Sequence, residues 1–247
     1  VVATPPATDG SVPAAVLAAA SVADVDEVYR VGGAQAIAAL AYGTESVPRV
    51  DVLVGPGNVY VMLAKKEVFG SVGIDSLAGP TEILIVADAG ARPDFIAADL
   101  ASQLEHDPMA WGVLVTDSAA LADRVEEEFA SLVSGLERAE VISAAHCCII
   151  VVADLDQAMQ VANDFAPEHL ELIAADPAPL AARVENAGAV FVGPYAPVSL
   201  GDYVAGPNHT LPTAGAAPFT SPIGVQNFPK RNTMASPHRG SPPRHPQ

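Results

Sequence analysis

The sequence of 247 residues has few cysteines, few aromatic residues and no long apolar run. No uninterrupted apolar segment approaches the roughly 20 residues that a membrane-spanning helix requires, which argues against a membrane protein. The first ten residues show neither the basic nor the apolar part of a secretory signal, and the missing initiating methionine predicts an incomplete or processed N-terminus. Half of the residues are hydrophobic, so we expect a globular, cytoplasmic protein with a sizeable core.

The only two cysteines, Cys147 and Cys148, are adjacent in the apolar run at 147–153. Neighbouring side chains on a strand point to opposite faces. We expect both to be buried thiols of a protein in a reducing compartment. A nucleophilic thiol that oxidises aldehydes would need a polar, partly exposed setting, which this run does not offer.

Basic residues are also scarce, since 12 lysines and arginines face 29 aspartates and glutamates, for a formal net charge of −17. Such a surface repels phosphate backbones, which argues against nucleic acid as the main partner and favours a small-molecule substrate. From residue 203 onward acidic residues are absent, while proline, serine, histidine and arginine accumulate. We expect this end of the chain to lack a core of its own and to be disordered, or to order only on another surface.

Short runs rich in valine and isoleucine alternate with segments of helical period. The predicted strands lie at 27–33, 50–55, 82–88, 111–117, 148–154, 170–174 and 189–193, and the main helical patterns at 34–42, 58–69, 92–106, 118–136, 155–165 and 177–187. This alternation predicts an α/β protein with parallel sheet and helices on both faces. A Gly-Pro turn at 77–82 separates two series of strands and helices.

Two glycine-rich junctions, at 31–36 and 54–60, each connect a predicted strand to a predicted helix. Such a junction can direct backbone N–H groups and the positive helix end at a phosphate. Neither completes the G-x-G-x-x-G pattern, because Val59 and Tyr60 stand where the third glycine of the second junction should fall. Taken alone, these junctions are weak evidence for a nucleotide-binding site. Glycines permit tight turns in any α/β protein, and we prefer that interpretation.

The predicted helix that starts at Pro93 carries Gln103 and His106, whose spacing of three residues lets both side chains converge on one point. A metal ion could bind there, with the imidazole as a good zinc ligand and the amide oxygen as a weaker one. The alternative is a histidine that stabilises the helix end, beside a solvated glutamine. A third ligand could come from Asp202 in the irregular loop 201–209, which we expect at the carboxyl-terminal edge of the sheet, although this aspartate could equally organise its own loop.

The stretch FAPEHLEL at 165–172 places Glu168 beside His169 directly after Pro167. Proline followed by glutamate is typical of a first helical turn, on which the two side chains would both reach one cleft. A histidine that titrates near neutrality is well suited to act as a general base. The same three residues are also a common helix start that needs no catalysis.

Read together, these stretches resemble the histidinol dehydrogenase family. The similarity runs in one order through VGGAQAIAALAYGTESVPRVD, GPGNVYVMLAKKEVFG, IDSLAGPTEILIVAD, ADLASQLEHDP, FAPEHLEL and GAVFVGPYAPVSLGDYVAGPNHTLPT, to about NFPKR at 227–231. The resemblance implies two successive NAD-dependent oxidations of L-histidinol to L-histidine, through the aldehyde, at a site with one zinc ion. It also implies a homodimer and two incomplete Rossmann-like domains, at 1–80 and 81–225, followed by an atypical tail at 226–247.

The resemblance also implies a role for individual residues. Zinc ligands would be Gln103, His106 and Asp202; His169 would be the general base of the alcohol step and Glu168 the residue that activates water for the aldehyde step. The substrate-binding residues would be Thr81, Gln103, His106, His169, Asp202 and His209, and the cofactor-binding residues Gln35 and Asn58.

The sequence departs from the family at both ends. The resemblance begins well inside the usual length of the family and ends near Arg231, so a further zinc-ligand histidine is expected to be absent. His238 and His245 match no family motif and are not assigned. The alternatives to an active dehydrogenase are therefore an inactive NAD- or metal-binding remnant of the same fold and, from a different class, a zinc hydrolase.

Overall fold

The computed structural model describes residues 1–203 and 205–236, apart from the side chains of Ala144 and Asp202. The strands are β1 Val2–Ala3, β2 Val28–Tyr29, β3 Val52–Leu53, β4 Gly73–Ile74, β5 Glu82–Ala87, β6 Trp111–Thr116, β7 His146–Val151, β8 His169–Ile173 and β9 Ala189–Val192. The helices are α1 Ala14–Val22, α2 Gly33–Tyr42, α3 Val59–Val68, α4 Pro93–Leu104, α5 Ala119–Val133, α6 Ala139–Ala144, α7 Leu155–Phe165, α8 Ala178–Ala181 and α9 Val198–Tyr203, with a 3₁₀ turn at Val225–Asn227.

Strands β5 to β9 form a five-stranded sheet in the order β7-β6-β5-β8-β9, and every neighbouring pair is parallel. The central strand β5 is buried along its whole length, because helices cover both of its faces. On one face Ile83 and Ile85 pack with residues of α4 and α5, and on the other Leu84 and Val86 pack with residues of α7 and α8. The predicted α/β class with parallel sheet is confirmed.

The first 80 residues form two two-stranded parallel sheets, β1-β2 and β3-β4. A separate apolar cluster that includes Ile37, Leu40 and Leu53 joins these strands to α2 and α3. The division of the chain near residue 80 stays a prediction.

An ion pair buried in this part of the chain holds the second glycine-rich junction. Lys65 Nζ lies 2.7 Å from Asp75 Oδ1, and both side chains are about 95% or more buried. Lys65 also donates to the carbonyl of Gly55, and the Gly55 N–H donates to Asp75 Oδ2 at 2.7 Å. The two charges are thus compensated by each other and by the loop backbone, as buried charges must be.

Cys147 and Cys148 are exposed, so the prediction that they are buried is wrong. They lie on β7, the edge strand of the sheet, whose first three residues are all exposed. An apolar run is therefore not sufficient to indicate burial, because an edge strand has a neighbour on one side only.

Part of the acid-free end of the chain packs against the main body. Residues 211–213 are buried, whereas residues 225–236 are exposed. Residues 211–213 therefore pack on the rest of the chain, and the atypical tail at 226–247 stays a prediction. Residues 237–247, which include His238 and His245, lie outside the described residues.

A buried carboxyl group ties the sheet to α9. Glu171 on β8 is 1% exposed, and its Oε1 accepts a hydrogen bond of 3.0 Å from the N–H of Val198, the first residue of α9. Burial, and then the neighbouring Asp99 carboxyl of α4, raise the pKa of Glu171 to about 9. Burial also raises the pKa of Asp99 to about 6. Glu171 is therefore a neutral carboxylic acid at physiological pH.

The buried ion pair predicts a large asymmetry between two adjacent lysines. Lys65→Met leaves the Asp75 charge buried without its partner, so the free energy of unfolding should fall by about 3–5 kcal/mol in urea titrations. Lys66→Met, at an exposed neighbouring position, should change it by about 0.5 kcal/mol or less. The double variant Lys65→Met/Asp75→Leu should recover much of the loss; equal destabilisation by Lys65→Met and Lys66→Met would contradict this account.

The raised pKa of Glu171 predicts a pH dependence of stability. The native state keeps the Glu171 proton at pH values where the unfolded state has already released it. The contribution of this proton to the free energy of unfolding is therefore complete below pH 4.5 and is lost as the pH rises toward 9. Glu171→Gln cannot release the proton, so its stability relative to the parent protein should rise across that interval in urea titrations. Glu185→Gln, at an exposed position, should show no such trend, and a pH-independent difference for Glu171→Gln would refute the proposed protonation.

Candidate active site

Glu168 and His169 lie where the chain enters β8, not in the first turn of a helix, so that prediction is wrong. His169 is the first residue of the strand, and Glu168 occupies the bend before it. Ala166 ends α7 in the left-handed conformation, at φ 53°, which directs the chain into the sheet. Two neighbouring residues inside a strand would point to opposite faces, but Glu168 lies in the bend before the strand. The two side chains can therefore meet, and Glu168 Oε2 lies 3.6 Å from His169 Nδ1.

The start of the neighbouring strand β5 holds the Glu168 carboxylate. The Thr81 hydroxyl donates to Glu168 Oε2 at 2.6 Å, and the Glu82 N–H donates to the same oxygen at 3.0 Å. Both bonds follow from the sheet, because β5 and β8 pair in register with Ile83 opposite His169. Two donors on one carboxylate oxygen favour the ionised form and leave the carboxylate one orientation.

The same peptide segment orients the imidazole. His169 Nδ1 lies 3.1 Å from the carbonyl oxygen of Glu82. A carbonyl can only accept, so Nδ1 carries the proton of the neutral ring and Nε2 carries the basic lone pair. His169 is 6% exposed, and its ring centre lies 6.1 Å from that of Phe191 on β9.

Gln103, in the last turn of α4, extends the network. It is buried, and its Nε2 donates to Thr81 Oγ1. The hydroxyl of Thr81 therefore accepts from the amide and donates to Glu168, which forms a relay with one direction. The amide oxygen of Gln103, the atom that could bind a metal ion, takes no part in this relay.

His106 lies two residues beyond the end of α4 and is exposed. Its Nδ1 is 2.9 Å from the carbonyl oxygen of Ser102, which again places the ring proton on Nδ1 and the lone pair on Nε2. A metal-binding histidine commonly has its other nitrogen fixed in this way. Among the described residues, no group of three or more histidine, cysteine, aspartate or glutamate side chains is placed to hold a metal ion.

The other predicted site residues are more dispersed. Position 202 is in α9, but the side chain of Asp202 lies outside the described part of the structure. His209 is exposed, two residues before the buried stretch 211–213. Gln35 is exposed near the start of α2, and Asn58 is the N-cap of α3, where its Oδ1 accepts from the N–H groups of Tyr60 and Val61.

The network lies at the amino-terminal edge of the five-stranded sheet, whereas the loop 201–209 was expected at the carboxyl-terminal edge. Thr81 and Glu168 each precede a strand, and Gln103 is at the end of a helix that runs back across the sheet. The chain after β9 also returns, because a Cβ built on Gly188, before β9, would lie 3.1 Å from Leu211 Cβ. Residue 211, two residues after this loop, therefore lies near the amino-terminal edge, and the place expected for the loop itself stays a prediction.

Glu82 was not identified from the sequence, although it contacts both members of the pair. Its side chain is 7% exposed, Oε1 accepts from the Ala214 N–H at 3.1 Å, and Oε2 is buried without a hydrogen-bond partner among the described residues. Burial raises the pKa of Glu82 to about 7. The available signal was an acidic residue at the edge of an apolar strand, which is rare unless the carboxyl group has a specific role. Glu171, inside HLELI, carries the same signal.

A pocket between α4, α5 and β7 lies away from this network. It has a volume of about 300 Å³, and its walls are Leu100, Val125, Glu126, Phe129, Cys147, Cys148 and Ile149. None of the predicted site residues lines it.

Although both cysteines are exposed, the protein around the Cys147 thiol removes enough water to raise its pKa to about 11. These thiols are poor nucleophiles at neutral pH.

Comparisons with known proteins agree with one family. The family model for histidinol dehydrogenase matches residues 1–241. Histidinol dehydrogenase of Moorella thermoacetica is 54% identical over 240 residues, which are 96% of this chain and 57% of that protein. The Pseudomonas aeruginosa protein of the same name is 55% identical over 232 residues, covering 93% and 53% of the two chains.

A solved structure agrees with the sequence comparisons. The crystal structure of histidinol dehydrogenase from Elizabethkingia anophelis superposes with a TM-score of 0.87 at 35% identity, over 92% of this chain and 53% of that one. The chain therefore spans about half the length of the curated relatives it matches. On the family model, the curated relatives and the solved structure together, the chain belongs to the histidinol dehydrogenase family.

Proposed function

We propose that this chain carries the catalytic pair of an NAD-dependent, zinc-containing histidinol dehydrogenase, which oxidises L-histidinol through the aldehyde to L-histidine. One observation carries the proposal: Glu168 and His169 are oriented by the same short segment, Thr81 and Glu82, while Gln103 joins that segment from α4. A carboxylate and a basic imidazole are thus held side by side with defined protonation sites. The names of the relatives support the substrate.

The donor set fits a zinc ion. His106 would offer Nε2 and Gln103 its amide oxygen, each with its other polar atom already engaged. Asp202 would provide a carboxylate from α9. When bound, zinc would orient the substrate as a Lewis acid, and NAD would accept a hydride in each of the two oxidations.

The alcohol step needs a base, and His169 supplies it. Its Nδ1–H is directed at the Glu82 carbonyl, so Nε2 is the atom that accepts the hydroxyl proton as hydride leaves the same carbon. The carbonyl of Glu82 then stabilises the positive charge on the imidazolium. Thr81 and His209 are assigned to substrate binding, together with Gln103, His106, His169 and Asp202.

The aldehyde step needs water as the nucleophile, and Glu168 activates it. Two donors on Oε2 keep the carboxylate ionised, so it can accept a proton from water that attacks the aldehyde carbon. The aldehyde oxygen takes the proton that His169 gained in the alcohol step, so the product of that attack is the hydrated aldehyde. The second hydride then leaves its carbon while His169 accepts one hydroxyl proton, which gives the carboxylic acid; with the proton on Glu168, one proton is released for each oxidation.

Gln35 and Asn58 are assigned to the cofactor, at the first turns of α2 and α3. The positive helix ends favour the phosphates of a dinucleotide. Because the Asn58 side-chain oxygen caps its own helix, the amide N–H group is the part that would contact NAD. A homodimer and a cytoplasmic location complete the proposal.

Replacing the water-activating carboxylate should separate the two oxidations. Glu168→Gln keeps an oxygen that can accept from Thr81 and Glu82 but removes the base, so the aldehyde step should slow by about 10²-fold to 10⁴-fold. The alcohol step should change far less. NADH absorbance in single turnovers of the complete gene product, started with histidinol or with the aldehyde, measures the two rates separately.

The control for this experiment is Glu185→Gln, a matched change at an exposed position, which should leave both rates unchanged. Equal losses in both steps of Glu168→Gln would contradict its assignment to water activation. If the complete gene product with zinc and NAD makes no NADH from histidinol, the chain is a binding remnant of the fold. Hydrolysis without NAD would instead indicate a zinc hydrolase.

The two cysteines should be dispensable, because neither belongs to the catalytic network and the pKa of the Cys147 thiol is raised to about 11. The double variant Cys147→Ser/Cys148→Ser should oxidise the aldehyde within about twofold of the parent rate, as expected for surface substitutions. Iodoacetamide should label the thiols slowly at pH 7 and faster toward pH 10. Loss of the aldehyde step alone would show that a thiol, and not water, is the nucleophile.

A further inference from the structure

The stretch 211–214, here called the clamp segment, is fastened to the start of β5 by two hydrogen bonds. The Gly79 N–H donates to Thr213 Oγ1 at 2.5 Å, and the Ala214 N–H donates to Glu82 Oε1 at 3.1 Å. Thr213 is 4% exposed, so the first of these bonds is closed to solvent competition. The two bonds join residues more than 130 positions apart in the chain.

The clamp segment also packs against Gly188, whose backbone lies against the carbonyl of Glu168. A Cβ built on Gly188 would lie 2.6 Å from the Glu168 carbonyl oxygen and 3.1 Å from Leu211 Cβ. Only a glycine allows this three-way approach. Leu211 itself is 6% exposed. The clamp segment therefore touches the strand that orients the catalytic pair and Gly188, the residue that lies against the bend containing Glu168.

His209 lies just before the clamp segment, separated from it by Thr210. The carbonyl of Thr210 accepts from the Ile223 N–H at 3.1 Å, which holds the chain on the other side. His209 is exposed, so its position depends on these neighbouring anchors more than on packing of its own ring. Loss of an anchor should move the histidine more than it moves Glu168 or His169.

Glu82 is the residue through which these contacts converge. Its N–H and carbonyl hold Glu168 and His169, while its side chain holds Ala214. Burial raises the pKa of Glu82 to about 7. The carboxyl group can accept from the Ala214 N–H whether it is protonated or ionised, and the amide oxygen of a glutamine could do the same.

We propose that the side chain of Glu82 is a positioning residue for the proposed reaction, which sets the clamp segment, and with it His209, at a fixed place relative to Glu168 and His169. The inference rests on the proposed function for the meaning of His209. It assigns to Glu82 no proton transfer and no contact with the substrate.

The test replaces Glu82 by a residue of similar volume whose side chain cannot accept the hydrogen bond from Ala214. In the complete gene product, Glu82→Met leaves the Ala214 N–H without its partner, and KM for histidinol should rise about tenfold, which the loss of one buried hydrogen bond can supply. The value of kcat should stay within about twofold, because the backbone of residue 82 still orients both catalytic side chains. Glu82→Gln keeps the acceptor and should restore the parent KM.

A double-mutant cycle distinguishes positioning of His209 from general loosening. If Glu82 acts through His209, Glu82→Met/His209→Asn should have the KM of His209→Asn alone, within about twofold. Multiplicative effects of the two changes, or an unchanged KM in Glu82→Met, would overturn the inference. If Glu82→Met does not fold, Thr213→Val removes the companion bond to Gly79, with Thr213→Ser as its matched control, and the same cycle applies.

Amide hydrogen exchange provides a measurement that does not depend on turnover. Glu82→Met should accelerate exchange of residues 210–214, while Glu82→Gln should leave it near the parent rate. Unchanged protection in Glu82→Met would refute the clamp even if the enzyme is active. Faster exchange in a protein that does not oxidise histidinol would uphold the clamp and reject the proposed function, so the two failures can be told apart.

Discussion

The structure of the candidate site depends on the peptide at the start of β5, which binds two side chains of opposite character. The Glu82 N–H points to the Glu168 carboxylate and the Glu82 carbonyl to His169 Nδ1. A backbone donor and a backbone acceptor on one residue favour the ionised form of the carboxylate and place an imidazole proton on Nδ1. Because β5 is the fully buried central strand of the sheet, this selection does not depend on a flexible loop.

The amino-terminal edge of the sheet is suited to this arrangement for a topological reason. In a parallel sheet the connecting helices run back to the start of the next strand, so the end of α4 lies over the start of β5. Gln103 can therefore reach Thr81, and His106 follows where the helix has ended. Position 202 comes from α9, whose first N–H is fixed by the buried Glu171. Thr81, Gln103 and Glu168, from distant parts of the sequence, thus meet at one edge of the sheet.

The fold class could be predicted from the sequence because the alternation of valine-rich runs and helical periods is a local signal. The place of Gln103 on α4 also follows from the local helical period, whereas His106, predicted on the same helix, lies just beyond its end. The geometry at Glu168 could not be predicted, because proline followed by glutamate favours a helix start, whereas here the left-handed Ala166 and pairing with β5 impose a strand. The exposure of Cys147 depends on strand order, which no local pattern specifies.

Glu82 and Glu171 are acidic residues buried inside the sheet, where water is excluded and a charged group would be costly. A carboxylate is expensive to bury, whereas the neutral acid still accepts a hydrogen bond from a backbone N–H. Burial raises both pKa values, so each acid can bind a later segment, Ala214 or Val198, at a small electrostatic cost. Glu168, by contrast, accepts from two donors on one oxygen, which favours its ionised form. The same residue type therefore serves as a hydrogen-bonded tether at two positions and, in the proposed reaction, as a base at the third; burial is the main cause of the raised pKa at both tethers.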